Sequence, residues 1–353
     1  MYISYTIGMF VKDLYAISPQ STFDLTFEGG EVLEIVADRY LANEPNYLEF
    51  IPAGQLRRMG KAVRMGIGAG LPLIQRNEPL DGIIIGSANG GLEDCIKFLN
   101  QIVDYEEGVL TPTNFVQSTP NALAGQLAIL SNNSGYNCTH TNGSLAFENA
   151  LIDTKLQLID RAKTTNFLVG AVEEISEYNY NIDTHAGRYK GIATSNISLL
   201  ESKTAGTICG EGATTFILSN NATDAFAEIV DVTLITCPTK EELTEMIHVF
   251  LQENNLNTED IDTIVLGNNG DGRLDHWYNE VVSPLFPIAQ TLHYKQFVGD
   301  YRTVSAFGLY FTVQHMRGLI ANTSQKRPKN ALIYNHFDGV RHGFILVKNS
   351  AEF

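Results

Sequence analysis

The chain is poor in cysteine, in positive charge and in long apolar runs, and each shortage excludes something. Its four cysteines, Cys95, Cys138, Cys209 and Cys237, lie far apart with no CxxC pair. That excludes a disulfide-stapled scaffold and a cysteine-rich zinc module, and four buried free thiols are expected. Lys and Arg number 24 against 40 Asp and Glu, giving a formal charge of −16. Nucleic acids and anionic membranes attract basic surfaces, so neither is an expected partner. No apolar stretch approaches the roughly 20 residues of a membrane-spanning helix. The opening MYISYTIGMFVKDLY has neither a basic segment before its apolar residues nor a small-residue cleavage site, so a cytoplasmic protein is expected. Sequons such as Asn196–Ser198 then carry no glycan.

What is present fits a globular protein, because 353 residues with 44% hydrophobic content suffice for one large core or two fused ones. Short β-branched runs read as strands at 82–86, 166–174, 212–219, 227–236, 262–267, 330–335 and 343–348. Between them, helical periods predict helices over about 52–75, 91–103, 143–163 and 239–255. A short β-prone run also precedes the corner at Gly143. The class is α/β.

The halves share an order of motifs. Strand GIIIG, loop SANGG, a helix and a corner opening a long helix are followed later by strand TIVLG, loop NNGDG, a helix and the segment FVGDYRTVSAFGLYFTVQHM. Two copies of one unit are expected, 1–220 and 221–353, with the boundary at the SNNAT turn.

Common site motifs do not fit. Neither GSANGG nor GNNGDG matches a dinucleotide or P-loop fingerprint. NNGDGRLD puts its Gly and terminal acid out of register for a calcium loop. The eight histidines show no HxxxH or HExxH spacing. No metal and no cofactor are expected. One basic cluster, Arg57, Arg58, Lys61 and Arg64 in QLRRMGKAVRMG, stands out as a docking patch for an acidic partner.

Taken together, RRMGKAVRMGIGAGL, GIIIGSANGGLED, TPTNFVQSTPNALAGQLAILSNNSGYN, LVGAVEE and GEGATTFIL resemble the β-ketoacyl-ACP synthases, spread over nearly the whole chain. The resemblance implies a thiolase-like layered αβαβα sandwich of two pseudo-repeated halves, usually dimeric through the first half. It places acyl carrier protein contacts on the basic cluster. It also implies a nucleophilic cysteine at a sharp elbow and two histidines that promote decarboxylation of a malonyl unit.

Residue by residue, the family's T-A-C-A-S-G elbow is matched on Gly143, which puts His140 at the cysteine position and leaves Cys138 two residues early as a core thiol. The H-G-T-G-T segment corresponds to Asn269-Gly270-Asp271-Gly272-Arg273, with Asn269 for the first histidine. The K-x-x-x-G-H segment keeps Lys295 and Gly299 and has Asp300 for the second histidine. The final G-F-G-G loop becomes Asp338-Gly339-Val340-Arg341 after Asn335, which removes most of its glycines.

All three catalytic positions are thus substituted. An imidazole holds no stable thioester, and neither Asn269 nor Asp300 replaces a histidine that donates to a carbonyl. The expectation is a condensation-inactive subunit, similar to the chain-length factors that pair with an active ketosynthase in fatty acid, polyketide or aryl-polyene assembly, acting as a heterodimer or a homodimer. The alternative is an acyl-thioester enzyme in which Asp300 lies beside His140 and makes it a general base. A third reading keeps a true condensing enzyme with Cys138 as nucleophile.

Overall fold

The computed structural model describes residues 8–77, 79–159, 161–320 and 327–350; residues 1–7 of the opening stretch lie outside these. Ten strands form one continuous sheet: β1 (Met9–Ile17), β2 (Gly82–Gly86), β3 (Tyr136–His140), β4 (Asn166–Glu173), β5 (Gly212–Ser219), β6 (Ala227–Thr236), β7 (Thr263–Leu266), β8 (Gln290–His293), β9 (Asn330–Phe337) and β10 (Arg341–Asn349). Their spatial order is β8-β7-β9-β10-β6-β1-β5-β4-β2-β3.

From the middle outward, each side of that sheet runs first, fifth, fourth, second and third strand of its half. The pairing repeats as well. β2 lies parallel to β3 and β4, while β4–β5 and β5–β1 are antiparallel. In the second half β7 lies parallel to β8 and β9, while β9–β10 and β10–β6 are antiparallel. The two sides join only where β1 meets β6 antiparallel, through Met9↔Ile229, Phe10↔Glu228 and Val11↔Ala227.

Even a local irregularity occurs twice. β1 bulges between Val11 and Asp13, and β6 bulges between Ile229 and Asp231. In each case the aspartate Oδ1 accepts from the next residue's N–H, at 2.9 Å for Leu14 and 2.8 Å for Val232. Each aspartate also accepts from an asparagine amide at the end of an outer helix, Asn77 at 2.8 Å and Asn254 at 3.2 Å. Each of those asparagines donates 2.9 Å back to the carbonyl four residues earlier, Leu73 or Phe250.

Alternation along the strands sorts side chains into layers, because successive residues face opposite sides of a sheet. Ile84, Val169 and Phe216 pack with Phe147 and Leu151 of one central helix, Ala146–Leu158, and with Phe307 and Phe311 of another, Ser305–Met316. Val265, Ile333 and Ile345 close the same core from the second half. Ile83, Ile85 and Leu168 face outward onto the helices Lys61–Asn77 and Ala122–Leu130. Ile264, Leu332 and Phe344 face outward onto Lys240–Glu253. The two halves of the sheet thus enclose the central helices between them, and helix, half-sheet, helix, half-sheet and helix alternate as five layers.

Among the described residues no helix is long and apolar enough to cross a membrane. The helix expected over about 52–75 is broken. A single turn, Ala53–Leu56, ends before Arg57, and the long helix begins at Lys61. The helix expected from Gly143 begins at Ala146.

Candidate functional site

The elbow is expected at His140, but the sharp turn into the first central helix falls at Leu145. This residue is the N-cap of Ala146–Leu158, with left-handed backbone (φ 64°, ψ 19°), and is 4% exposed. Left-handed backbone is rare for a β-carbon-bearing residue. Two glycines let the chain pass close to it. A Cβ on Gly86 would lie 2.7 Å from the Ala146 carbonyl, and one on Gly343 would lie 3.2 Å from Leu145 Cδ2 and 3.1 Å from Glu148 Oε1. Gly143, midway between the strand end and the helix start in the same loop, is left-handed too (φ 72°), and its N–H donates to the Ala88 carbonyl at 3.2 Å.

His140 does not lie at that turn. It is the last residue of edge strand β3, where its carbonyl accepts from Ser87 N–H at 3.0 Å. Its Nε2 lies 2.9 Å from Asp153 Oδ2 and 3.8 Å from Cys138 Sγ. The carboxylate beside His140 is that of Asp153, not Asp300, which removes the expected His140–Asp300 general base. Cys138 is not a core thiol but half-buried on the same strand face. Of the four cysteines, all free, only Cys209 is buried; Cys95 and Cys138 are intermediate and Cys237 is exposed.

Asn269, Lys295 and Asp300 do converge. Asp300 Oδ1 lies 2.7 Å from Lys295 Nζ, and Oδ2 accepts from Asn269 Nδ2 at 3.0 Å. Asn269 Oδ1 accepts from Asp271 N–H at 3.1 Å, which fixes the amide orientation. The loop holding Asn269 is pinned by Asp275, whose carboxylate accepts from the Asn269 and Gly270 amides at 3.1 and 3.0 Å. Burial raises the Asp275 carboxyl above its ordinary range against those two bonds. Asp300 is held by its backbone against Ile208 and Gly210 at 2.8 and 3.1 Å. Gly299 makes that approach possible: its φ is 75°, and a Cβ would lie 2.8 Å from Gly210 Cα.

Glu148, which was not singled out in the sequence, and the Asp338–Arg341 loop complete the site. Glu148, one turn into the central helix, is 1% exposed, and neither carboxylate oxygen has a hydrogen-bond partner among the described residues. Burial pushes its carboxyl up to about 7, with the Ser305 hydroxyl and the Lys295 charge pulling the other way. Arg341 reaches from β10 to the loop before the elbow, with Nη1 2.8 Å from the Asn142 carbonyl and 3.4 Å from Ser144 Oγ. The loop carrying it is a tight hairpin, with Asp338 and Gly339 at φ 56° and 64° and Val340 N–H on the Phe337 carbonyl at 3.0 Å. Asp338 itself pairs with Arg188 at 2.7 and 2.8 Å.

The turn itself carries an aliphatic side chain, Leu145. Burial pushes the Cys209 thiol up to about 12 and also raises Cys138, and the thiol rather than the reactive thiolate is then present at neutral pH.

The basic cluster divides in two. Lys61 is ion-paired with buried Glu211, and Arg64 makes a two-pronged pair with Glu44 at 2.8 Å on each prong. Arg57 and Arg58 are exposed at the break before the long helix. Arg58 borders a groove formed with Met59, Pro112, Val116, Ile129 and Leu130.

Alternating layers built on a duplicated strand order define a thiolase-like ketosynthase fold. Residues 36–222 match the family described as Beta-ketoacyl synthase, N-terminal domain. The chain belongs to the β-ketoacyl synthase family. No curated protein sequence matches it. A β-ketoacyl synthase from Burkholderia phymatum STM815 superposes with a TM-score of 0.78 at 14% identity, over 97% of this chain and 99% of that one. The ishigamide ketosynthase/chain length factor gives 0.75 at 16% identity, over 97% and 99%. The ketosynthase ApeO in complex with its chain length factor ApeC, from Xenorhabdus doucetiae, gives 0.73 at 14% identity, over 99% and 100%. At such identities the likeness is one of fold.

Proposed function

We propose that this chain is a non-condensing ketosynthase-like subunit, a chain-length-factor-like partner of an active ketosynthase that extends a carrier-bound acyl chain in fatty acid, polyketide or aryl-polyene assembly. The observation that carries the reading is Leu145 at the elbow. Condensation needs a thiolate there to accept the acyl chain, and a leucine side chain forms no thioester.

The surroundings support the same conclusion. Asp300 is bonded to Lys295 and Asn269, so a carboxylate and an amide that hold each other occupy the positions expected for the two histidines. A carboxylate would also repel the developing enolate. In this reading 1–220 and 221–353 are the two pseudo-equivalent halves. The partner is an active ketosynthase in a heterodimer, or a second copy in a homodimer, over an interface of roughly 2,000 Å² or more. Arg57 and Arg58 meet the acidic acyl carrier protein, which suits two exposed guanidinium groups that form no ion pair among the described residues and lie beside an apolar groove.

The test is intact-mass analysis after incubation with acyl-carrier and malonyl-carrier protein. The expected result is no acyl adduct and no product from the chain alone, with product appearing once a ketosynthase from the same source is added. An acyl adduct lost in Cys138→Ala or Cys209→Ala would overturn the proposal.

A further inference from the structure

Tyr136, Cys138 and His140 alternate along edge strand β3 and so share one face. The residues between them face the other way, where Asn137 Nδ2 donates to the Ala124 carbonyl at 2.9 Å and Thr139 Oγ1 donates to Asn121 Oδ1 at 2.6 Å. The Tyr136-Cys138-His140 face lies against the central helix, and there it meets Asp153. Asp153 Oδ2 is 2.9 Å from His140 Nε2 and accepts from the Tyr136 hydroxyl at 3.1 Å. Cys138 Sγ lies 3.8 Å from the same Nε2. The sulfur, ring nitrogen and carboxylate oxygen all lie within 4.8 Å of one another, the single such group of three among the described residues.

We infer that Cys138, His140 and Asp153 form a site for a divalent transition metal, with zinc the best match. The donor set argues for it, since thiolate with imidazole selects zinc and its neighbours over magnesium or calcium. So does the spacing. Zinc bonds of about 2.3 Å to sulfur and about 2.0–2.1 Å to nitrogen and oxygen, at tetrahedral angles, put sulfur about 3.6 Å from nitrogen and nitrogen about 3.3 Å from oxygen. The observed sulfur–nitrogen distance of 3.8 Å already lies close to the first value, and the nitrogen–oxygen distance of 2.9 Å opens to the second by a small swing of the Asp153 carboxylate.

Binding replaces the thiol proton and any proton shared between His140 and Asp153, which leave to solvent. Thiolate and carboxylate then neutralise the 2+ charge. Three protein ligands leave a fourth position for water, and His140 and Asp153 side chains keep 28% and 13% exposure through which it enters. The Tyr136 hydroxyl, and Gln157 Nε2 at 3.4 Å from Asp153 Oδ1, orient the carboxylate from outside, as groups around metal ligands commonly do. A hydrogen-bond chain alone accounts for Tyr136, Asp153 and His140, but it does not require sulfur at the third corner.

The test uses the full chain, stripped with chelator, titrated with zinc and with cobalt, gel-filtered and analysed for metal. The expected result is one metal per chain and, with cobalt, a thiolate charge-transfer band together with visible bands of a tetrahedral centre. Cys138→Ser and Asp153→Asn should each weaken binding at least about 100-fold, and Tyr136→Phe about 10-fold. Cys95→Ser and Cys237→Ser should leave it unchanged. Failure of the wild-type chain to retain metal, equal retention by Cys138→Ser, or loss in Cys237→Ser overturns the site. Tyr136→Phe keeps all three ligands and guards against reading misfolding as lost coordination.

Discussion

Asp300 bridges Lys295 and Asn269, one carboxylate oxygen on each. Lys295 is 1% exposed, and a buried ammonium without its counter-charge is costly. Asp300→Ala is therefore expected to destabilise the fold by about 3–5 kcal/mol, whereas Lys295→Met combined with Asp300→Leu should cost far less than the single change. Urea unfolding of the three chains checks this, and equal losses in single and double variants would sink the pairing argument.

Leu145 gives a prediction whose sign runs against habit. Glycine in place of alanine ordinarily destabilises an ordered segment by about 0.5–1 kcal/mol, but at φ 64° a glycine carries no Cβ penalty. Leu145→Ala should lose about 2–5 kcal/mol of burial, and Leu145→Gly should be the more stable of the two. Thermal melts side by side decide it. Leu145→Cys should acquire an acyl adduct at most, with no condensation, because Asn269 and Asp300 remain.

Glu148 makes stability fall as pH rises. Its carboxyl is raised from 4.5 to about 7 by burial, so between those values the unfolded chain has released its proton and the folded chain has not. Stability is full below the unfolded value and declines through about pH 7, by up to about 3 kcal/mol from this group. Glu173, also pushed up to about 7 by burial, adds a loss in the same direction. Glu148→Gln should flatten part of the slope and stabilise the protein at pH 8, and chemical denaturation across pH 4–8 measures it.

The basic cluster should split in function as it does in space. Arg57→Glu with Arg58→Glu should weaken carrier-protein binding at least about tenfold and reduce its salt dependence, with little change in melting temperature. Lys61→Glu and Arg64→Glu should instead destabilise the chain, because Glu211 and Glu44 lose their partners. Unchanged carrier binding in the first pair would remove Arg57 and Arg58 from the docking surface.

Much of the architecture was legible because hydrophobic runs such as GIIIG and NALIYN are buried on both faces, and continuous apolar strands need no partner to be recognised. β1 was not, since its bulge at Lys12 and Asp13 interrupts the alternation that marks a strand. Lys295 and Asp300, read from one short local segment, lie 2.7 Å apart. The elbow was placed five positions early because the motif was anchored on Gly143, while every other residue of the motif is replaced. The buried stripe Ala146, Phe147, Ala150, Leu151, Thr154, Leu158 marks the helix start and points back to Leu145. The Asp153 partner of His140 lies 13 residues away on a different element, and no local spacing rule reports it.

The matched bulges at Asp13 and Asp231, each tied to the asparagine that ends an outer helix, stand on either side of the three-pair seam between β1 and β6. The shared ladder ends beside an aspartate in both directions, and from there each half of the sheet is tied to its own outer helix. The partners beyond differ, Arg76 on the outer helix for Asp13 and Lys155 on the central helix for Asp231, so the duplication extends to the backbone and its asparagine tie but not to the charges around it.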